Sequence, residues 1–262
     1  MMTIKNYVRA QSLQQAYELN QNKRNRILGG MLWLKMTDSD VTTAIDLSDL
    51  GLDTIEETED SFSIGAMVTL RQLELHEGLN AYTGGAMAKA VRDIIGVQFR
   101  NMATVGGSIF GRYGFSDVLT LFLALDCQVE LYQAGLVPLE QFAGQKADRD
   151  LLVRLVVKKR PVSVCYQVMR NSRTDFPVLT CCLSCLDGEW KAVYGARPGR
   201  AMVLRDETGI LASGVTGDSA HDFACWAAQR VPTGSNLRGS AAYRSHLVKV
   251  LTQRGLAEAG GK

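Results

Sequence analysis

The sequence lacks the features that would place it in several common classes. Its apolar runs, such as Leu121 to Leu125, are far too short to cross a bilayer, and residues 1–20, MMTIKNYVRAQSLQQAYELN, hold no apolar core before a small-residue cleavage site. The chain is therefore expected in the cytoplasm, without membrane contact. Charge of one sign is also missing: 29 Lys plus Arg stand against 27 Asp plus Glu, a formal charge of +2, with no basic block dense enough to follow a phosphate backbone. Nucleic acid is not an expected partner. The three histidines, His76, His221 and His246, lie far apart and fit no ligand spacing, and no Ser-His-Asp set can be singled out. Internal repeats and low-complexity tracts are absent.

What is present suits an ordinary globule. Hydrophobic residues make up 46% of 262, enough to bury one large core or two moderate ones. Six cysteines are scattered through a chain that needs no staples, and they are expected to be reduced, mostly as small core residues. Cys182-x-x-Cys185 has a metal-like spacing. With Cys181 it falls in an expected strand whose alternation sends Cys182 and Cys185 to opposite faces, so no metal site is expected there. Trp33, Trp190 and Trp226 are expected as core anchors.

Ser12, Gln15 and the apolar set Leu13, Ala16, Tyr17 and Leu19 predict a capped amphipathic helix, followed by a strand ending at Gly29-Gly30 and another at Ala44 to Leu47. Ser61 to Ala66 alternates as a strand; helices are expected near Leu70 to Leu75 and from about Thr83 to Ile95. A glycine turn is expected at Gly106-Gly107, then a helix capped by Ser116-Asp117 and running through Leu125, then a strand at Cys127 to Tyr132. From Leu151 the pattern becomes antiparallel strands, Leu151 to Val157, Val164 to Met169, Val178 to Leu186 and Trp190 to Tyr194, with a turn at Asp187-Gly188. Ser219 to Gln229 and Ala241 to Arg254 read as helices. A boundary near residue 160 fits this change of character.

Two glycine pairs stand out as chemistry. Gly29-Gly30 ends a strand, and Gly106-Gly107 lies in TVGGS, Thr104 to Ser108. Without a Cβ, successive backbone amides can converge on an anion, so paired loops of this kind could hold a pyrophosphate. For either pair taken alone a tight turn is the favoured explanation, and it is the reading given to Gly84-Gly85.

The string QFRNMATVGGSIF at 98–110, followed by Asp117, resembles the FAD-binding subunit of xanthine dehydrogenases and the medium subunit of aerobic carbon monoxide dehydrogenases. That family carries an Arg-Asn-x-x-Thr-Ile-Gly-Gly-Asn run at the flavin diphosphate and an aspartate nine residues beyond it. YVRAQSLQQAYEL at 7–19, IGAMVTLRQLE at 64–74 and AAYRSHLVKVLTQRGL at 241–256 extend the likeness over nearly the whole chain. The resemblance implies an α+β fold: a two-part FAD-binding domain of the PCMH/VAO-like kind at 1–158, with subdomains at about 1–56 and 57–158. A C-terminal antiparallel sheet packed with helices occupies 159–262.

Carried over by position, the resemblance implies a first FAD loop of Arg26, Ile27, Leu28, Gly29, Gly30, Met31, Leu32 and Trp33. The second is Thr104, Val105, Gly106, Gly107 and Ser108, with Ile94 as an apolar neighbour and Asp117 as an acidic contact. Asp117 also reads as a plain helix cap with Ser116. The family's first loop usually reads Ala-Gly-Gly-Thr-Asp, whereas Leu28-Gly29-Gly30-Met31-Leu32 has lost a hydroxyl and a carboxylate; Ser108 replaces the usual Asn. The basic residue that many members place early in the C-terminal module has no match in Tyr166 to Arg170, where Arg170 or Arg173 is the substitute on offer.

The implied function is a cradle for FAD with no catalytic acid or base, because the flavin carries the redox chemistry. A large molybdopterin-binding subunit would hold the molybdenum cofactor and a small iron–sulfur subunit two [2Fe-2S] clusters, with FAD here passing electrons to NAD or another acceptor. A flavin-poor assembly scaffold and a free-standing flavin reductase are the competing readings.

Overall fold

Strands Thr3–Arg9 (β1), Arg26–Leu28 (β2) and Asp40–Asp46 (β3) form a sheet with β3 in the middle and both pairings parallel. Parallel neighbours need a crossover, and the helix Leu13–Asn20 (α1) supplies part of it between β1 and β2. The Ser12 hydroxyl caps α1 by accepting the Gln15 amide at 3.1 Å. Ala16 then packs with Ile45, Leu47, Leu52, Leu151 and Val153, so apolar contact fastens this sheet to residues of the second one. The computed structural model describes residues 2–260.

The second sheet is antiparallel and contains Ile55–Glu57 (β4), Ser61–Gly65 (β5), Cys127–Leu131 (β6), Gly135–Pro138 (β7) and Leu152–Lys158 (β8), in the order β4-β5-β8-β6-β7. The segment at Leu151 to Val157, grouped in sequence with the C-terminal strands, thus pairs with β5 and β6 instead. Between β5 and β6 run Leu70–Leu75 (α2), Glu77–Tyr82 (α3), Ala86–Val91 (α4), Val97–Arg100 (α5), Val105–Phe110 (α6) and Asp117–Ala124 (α7); Leu139–Gly144 (α8) comes after β7.

Two helical expectations are corrected here. The stretch Thr83 to Ile95 is helical only at α4. Gly84 and Gly85 sit at φ 57 and 83, and Ile95 at φ 51, so left-handed backbone bounds α4 on both sides and separates it from α3. Gly106-Gly107 is not a turn but the first turn of α6, capped by Thr104.

Val162–Arg170 (β9), Pro177–Leu186 (β10), Glu189–Gly195 (β11) and Met202–Arg205 (β12) form the third sheet, antiparallel in the order β12-β11-β10-β9. Asp187 and Gly188, at φ 49 and 88, make the tight turn between β10 and β11. One face of this sheet packs against Gly217–Arg230 (α9) and Ala241–Gly260 (α10) through Cys181, Leu183, Phe223, Val248 and Leu251. The other face, with Tyr166, Cys182 and Val193, joins the core around α7. All eight residues of α7 are therefore buried. The Thr120 and Thr180 hydroxyls bond at 3.0 Å, and the Ser184 hydroxyl donates to the Ala124 carbonyl at 2.6 Å, fixing α7 on β10. The α+β organisation expected from sequence is the one observed. Among the described residues, no helix is long and apolar enough to cross a membrane.

Candidate functional site

The first loop follows β2, an edge strand of its sheet. Gly29, Gly30, Met31 and Leu32 donate to no backbone or side-chain acceptor among the described residues. Unmet donors in a row need water or a ligand with several acceptors. Both glycines are required by close approach to the second loop. A Cβ on Gly30 would lie 1.9 Å from the Met102 carbonyl oxygen, and one on Gly29 would lie 2.8 Å from Thr104 Oγ1. Met31, where the usual family residue is Thr, sits at φ 57, an unfavourable backbone for a Cβ-bearing residue. Arg26 turns back on its own loop, donating to the carbonyls of Lys23 and Asn25 at 2.6 and 2.8 Å. Ile27 and Leu28 face apolar clusters on the two sides of the sheet.

The second loop differs from the expectation of converging free amides. Val105 and Gly106 donate to the Val68 and Ala66 carbonyls at 2.8 and 2.7 Å, and Ser108 donates to the Thr104 carbonyl at 3.0 Å. Gly107 donates to Thr104 Oγ1 at 3.2 Å as the helix cap. The physical reason is that this segment is a helix with its own N-cap. Gly106 is needed for packing, since its Cβ would meet the Ala66 carbonyl oxygen at 2.7 Å, while a Cβ on Gly107 meets only Thr104 Oγ1, at 3.2 Å. Toward a ligand this loop offers the Thr104 hydroxyl as a donor, whereas the Ser108 hydroxyl donates to the Thr104 carbonyl at 2.9 Å.

Both loops line one cleft of about 560 Å³, within the range of cofactor sites. Ile94 lies on its wall, partly buried against the main core. Asp117 is also on the wall, but not as a cap. Ser116 caps α7, its hydroxyl accepting the Leu119 amide at 3.1 Å. Asp117 Oδ1 accepts the Tyr166 hydroxyl at 2.5 Å and the Arg170 guanidinium at 2.6 Å. Burial pushes the Asp117 carboxyl up to about 6 against the opposing pull of Arg170 and Tyr166, and burial beside Asp117 raises the Tyr166 phenol well above its ordinary value. Arg170 also donates to the Asp175 carbonyl at 2.6 Å, so a cation from β9 stands at the cleft. Arg173 does not; its side chain is 82% exposed and pairs with Asp93 at 3.0 Å.

Trp33 is no core anchor. It is 41% exposed at the cleft, its ring 6.1 Å from Phe115 and 5.6 Å from Phe176 between centroids. Phe115 and Phe176, which line the cleft, and Tyr166, which reaches it only through Asp117, were not legible in the sequence, because each sits outside any motif and only the tertiary fold places them there. Arg149, which also lines the cleft, donates to the Asn20, Asn22 and Asn25 carbonyls.

The free amide run, the glycine contact between loops and the ring-lined wall fit an FAD-sized dinucleotide, with phosphates at the amides and flat rings against the aromatics. The family described as the FAD binding domain in molybdopterin dehydrogenase matches residues 2–159. The chain is 28% identical to the glyceraldehyde dehydrogenase medium chain of Sulfolobus acidocaldarius, over 96% of this chain and 97% of that one. It is 25% identical to the uncharacterised protein YgfM of Escherichia coli K12, over 95% of this chain and 93% of that one. In fold it is similar to a chain of quinoline 2-oxidoreductase from Pseudomonas putida 86, with TM-score 0.86 at 19% identity, covering 99% of this chain and 97% of that one. A chain of carbon monoxide dehydrogenase from Hydrogenophaga pseudoflava gives TM-score 0.87 at 21% identity, covering 98% and 97%. With the family matched across well over half its length, the chain belongs to the FAD-binding domains of molybdopterin dehydrogenases.

Proposed function

We propose that this chain is the electron-relaying FAD subunit of a molybdenum hydroxylase complex, in which a large molybdopterin-binding subunit and a small iron–sulfur subunit are its partners. FAD supplies the redox chemistry when bound, taking electrons from [2Fe-2S] clusters and giving them to NAD or another acceptor. The chain's own residues bind and orient. Amides from Gly29 to Leu32 would receive the diphosphate, the Thr104 hydroxyl would donate beside it, Ser108 would hold that turn through its bond to the Thr104 carbonyl, and Ile94 would cover an apolar edge. Asp117, fixed by Tyr166 and Arg170, presents a charged acceptor on the opposite wall. We assign 1–158 to the FAD-binding domain and 159–262 to the C-terminal domain, whose β9 contributes Arg170. The run of unmet amides beside a glycine-mediated loop contact is the observation that carries this reading.

A second reading has one observation in its favour. Met31 and Leu32 offer no side-chain hydrogen bond where the family usually has Thr and Asp, as a flavin-poor assembly subunit would. The test is anaerobic mixing of the FAD-loaded chain with a reduced two-iron ferredoxin as surrogate donor. Bleaching of the flavin supports the relay; a loaded flavin that stays oxidised contradicts it, and a chain that takes up no FAD supports the scaffold.

A further inference from the structure

We propose that Trp33, Phe115 and Phe176 form a stacking clamp for a flat heteroaromatic ring at one end of the cleft. The inference rests on the FAD reading and assigns a grip that this chain uses in place of the polar side chains missing from its first loop.

The three rings come from separate parts of the chain: the first loop, the segment before α7, and the residue just before β10. Phe115 and Phe176 meet edge to face at 5.0 Å, and Trp33 lies against both. The Arg238 guanidinium sits over Phe176, 4.7 Å from its centroid, and pairs with Asp175 at 3.5 Å, which holds that ring from behind. Trp33 is nevertheless 41% exposed. A tryptophan packed against two rings and still 41% exposed beside a cleft keeps ring surface on which a third ring can stack. Its position in sequence adds a second constraint. Trp33 comes directly after the unmet amides of Gly29 to Leu32, so a phosphate held there places the attached nucleoside ring toward the clamp. Stacking is indifferent to hydrogen-bonding pattern, which suits a loop that carries Met31 and Leu32. Either end of FAD, isoalloxazine or adenine, has the required flat ring.

The experiment compares wild type, Trp33→Leu and Trp33→Phe by calorimetric titration with FAD, FMN and ADP, with the melting temperature of each ligand-free protein measured alongside. Leucine keeps apolar cover and removes the ring; phenylalanine restores a ring. FAD affinity is expected to fall about tenfold in Trp33→Leu and to return to within about threefold of wild type in Trp33→Phe. A loss shared by FMN and not ADP puts the flavin ring in the clamp, and the reverse puts adenine there. Wild-type FAD affinity in Trp33→Leu overturns the clamp while leaving the FAD reading intact. Equal losses in both variants would also overturn it, since the indole would then be filling space. A wild-type chain that binds no FAD instead overturns the reading on which the clamp rests.

Discussion

Arg170 on β9 and Asp117 at the start of α7 form a 2.6 Å ion pair with side-chain exposures of 8% and 6%, tying the third sheet to the helix that lines the cleft. Tyr166 completes the group through the same carboxylate oxygen. Removing one member of a buried pair leaves an uncompensated charge, which costs about 3–5 kcal/mol, whereas removing both costs much less. Arg170→Met is therefore expected to destabilise the ligand-free protein strongly, and Arg170→Met with Asp117→Leu to recover most of the loss. Denaturant unfolding of the three variants checks this as a double-mutant cycle; simple additivity would show that the pair is uncoupled.

The same carboxyl makes stability depend on pH. Its folded value, about 6, lies above the ordinary value of 3.8, so the native state binds the extra proton between those limits. The stability contributed is complete below about pH 4 and is lost as pH rises through about 6. Wild type should gain up to about 3 kcal/mol relative to Asp117→Asn between pH 7 and pH 4, read from parallel unfolding curves. A pH-independent difference between the two would contradict the assignment.

The two glycine pairs should answer differently to substitution. Gly107→Val directs bulk into the cleft and meets only Thr104 Oγ1, so it should abolish most FAD binding with little change in ligand-free melting temperature. Gly30→Ala collides with the Met102 carbonyl and should lower both. Gly144→Ala, with open space around its Cβ, is the control for both measurements. Retained FAD binding in Gly107→Val would remove the second loop from the site.

Burial raises the thiols of Cys127, Cys165, Cys181 and Cys182 above their ordinary value. Cys181 and Cys182 also face opposite cores, one against α9 and α10 and one against α7. In native protein neither should react with maleimide within an hour, and the pure chain should contain no iron. Stoichiometric iron with acid-labile sulfide would contradict this placement.

Much of the fold was legible because its signals are local. The Ser12 and Ser116 caps, the Asp187-Gly188 turn and the apolar run of β10 each depend on neighbours within a few residues. Where a helix broke, at Gly84-Gly85, the glycines were visible but their left-handed backbone was not. The edge strand β12 was missed because Met202 to Arg205 is short and has no fully buried residue. The resemblance at Thr104 to Ser108 singled out the loops of the candidate site; their hydrogen bonding was not legible, since Val105 and Gly106 pair with Val68 and Ala66 through the fold. Asp117 likewise meets Tyr166 and Arg170 across 49 and 53 residues, a distance over which no spacing rule operates.

The central claim, that this chain holds FAD noncovalently in the cleft between its two glycine loops, is tested most directly by the stoichiometry of binding. The purified chain is incubated with FAD, desalted, and its visible spectrum recorded before and after acid precipitation. The account predicts a yellow protein carrying about one FAD per chain, all of it released to the supernatant, because among the described residues no histidine or cysteine lines the cleft to form a covalent link. A chain that remains colourless after incubation would contradict it.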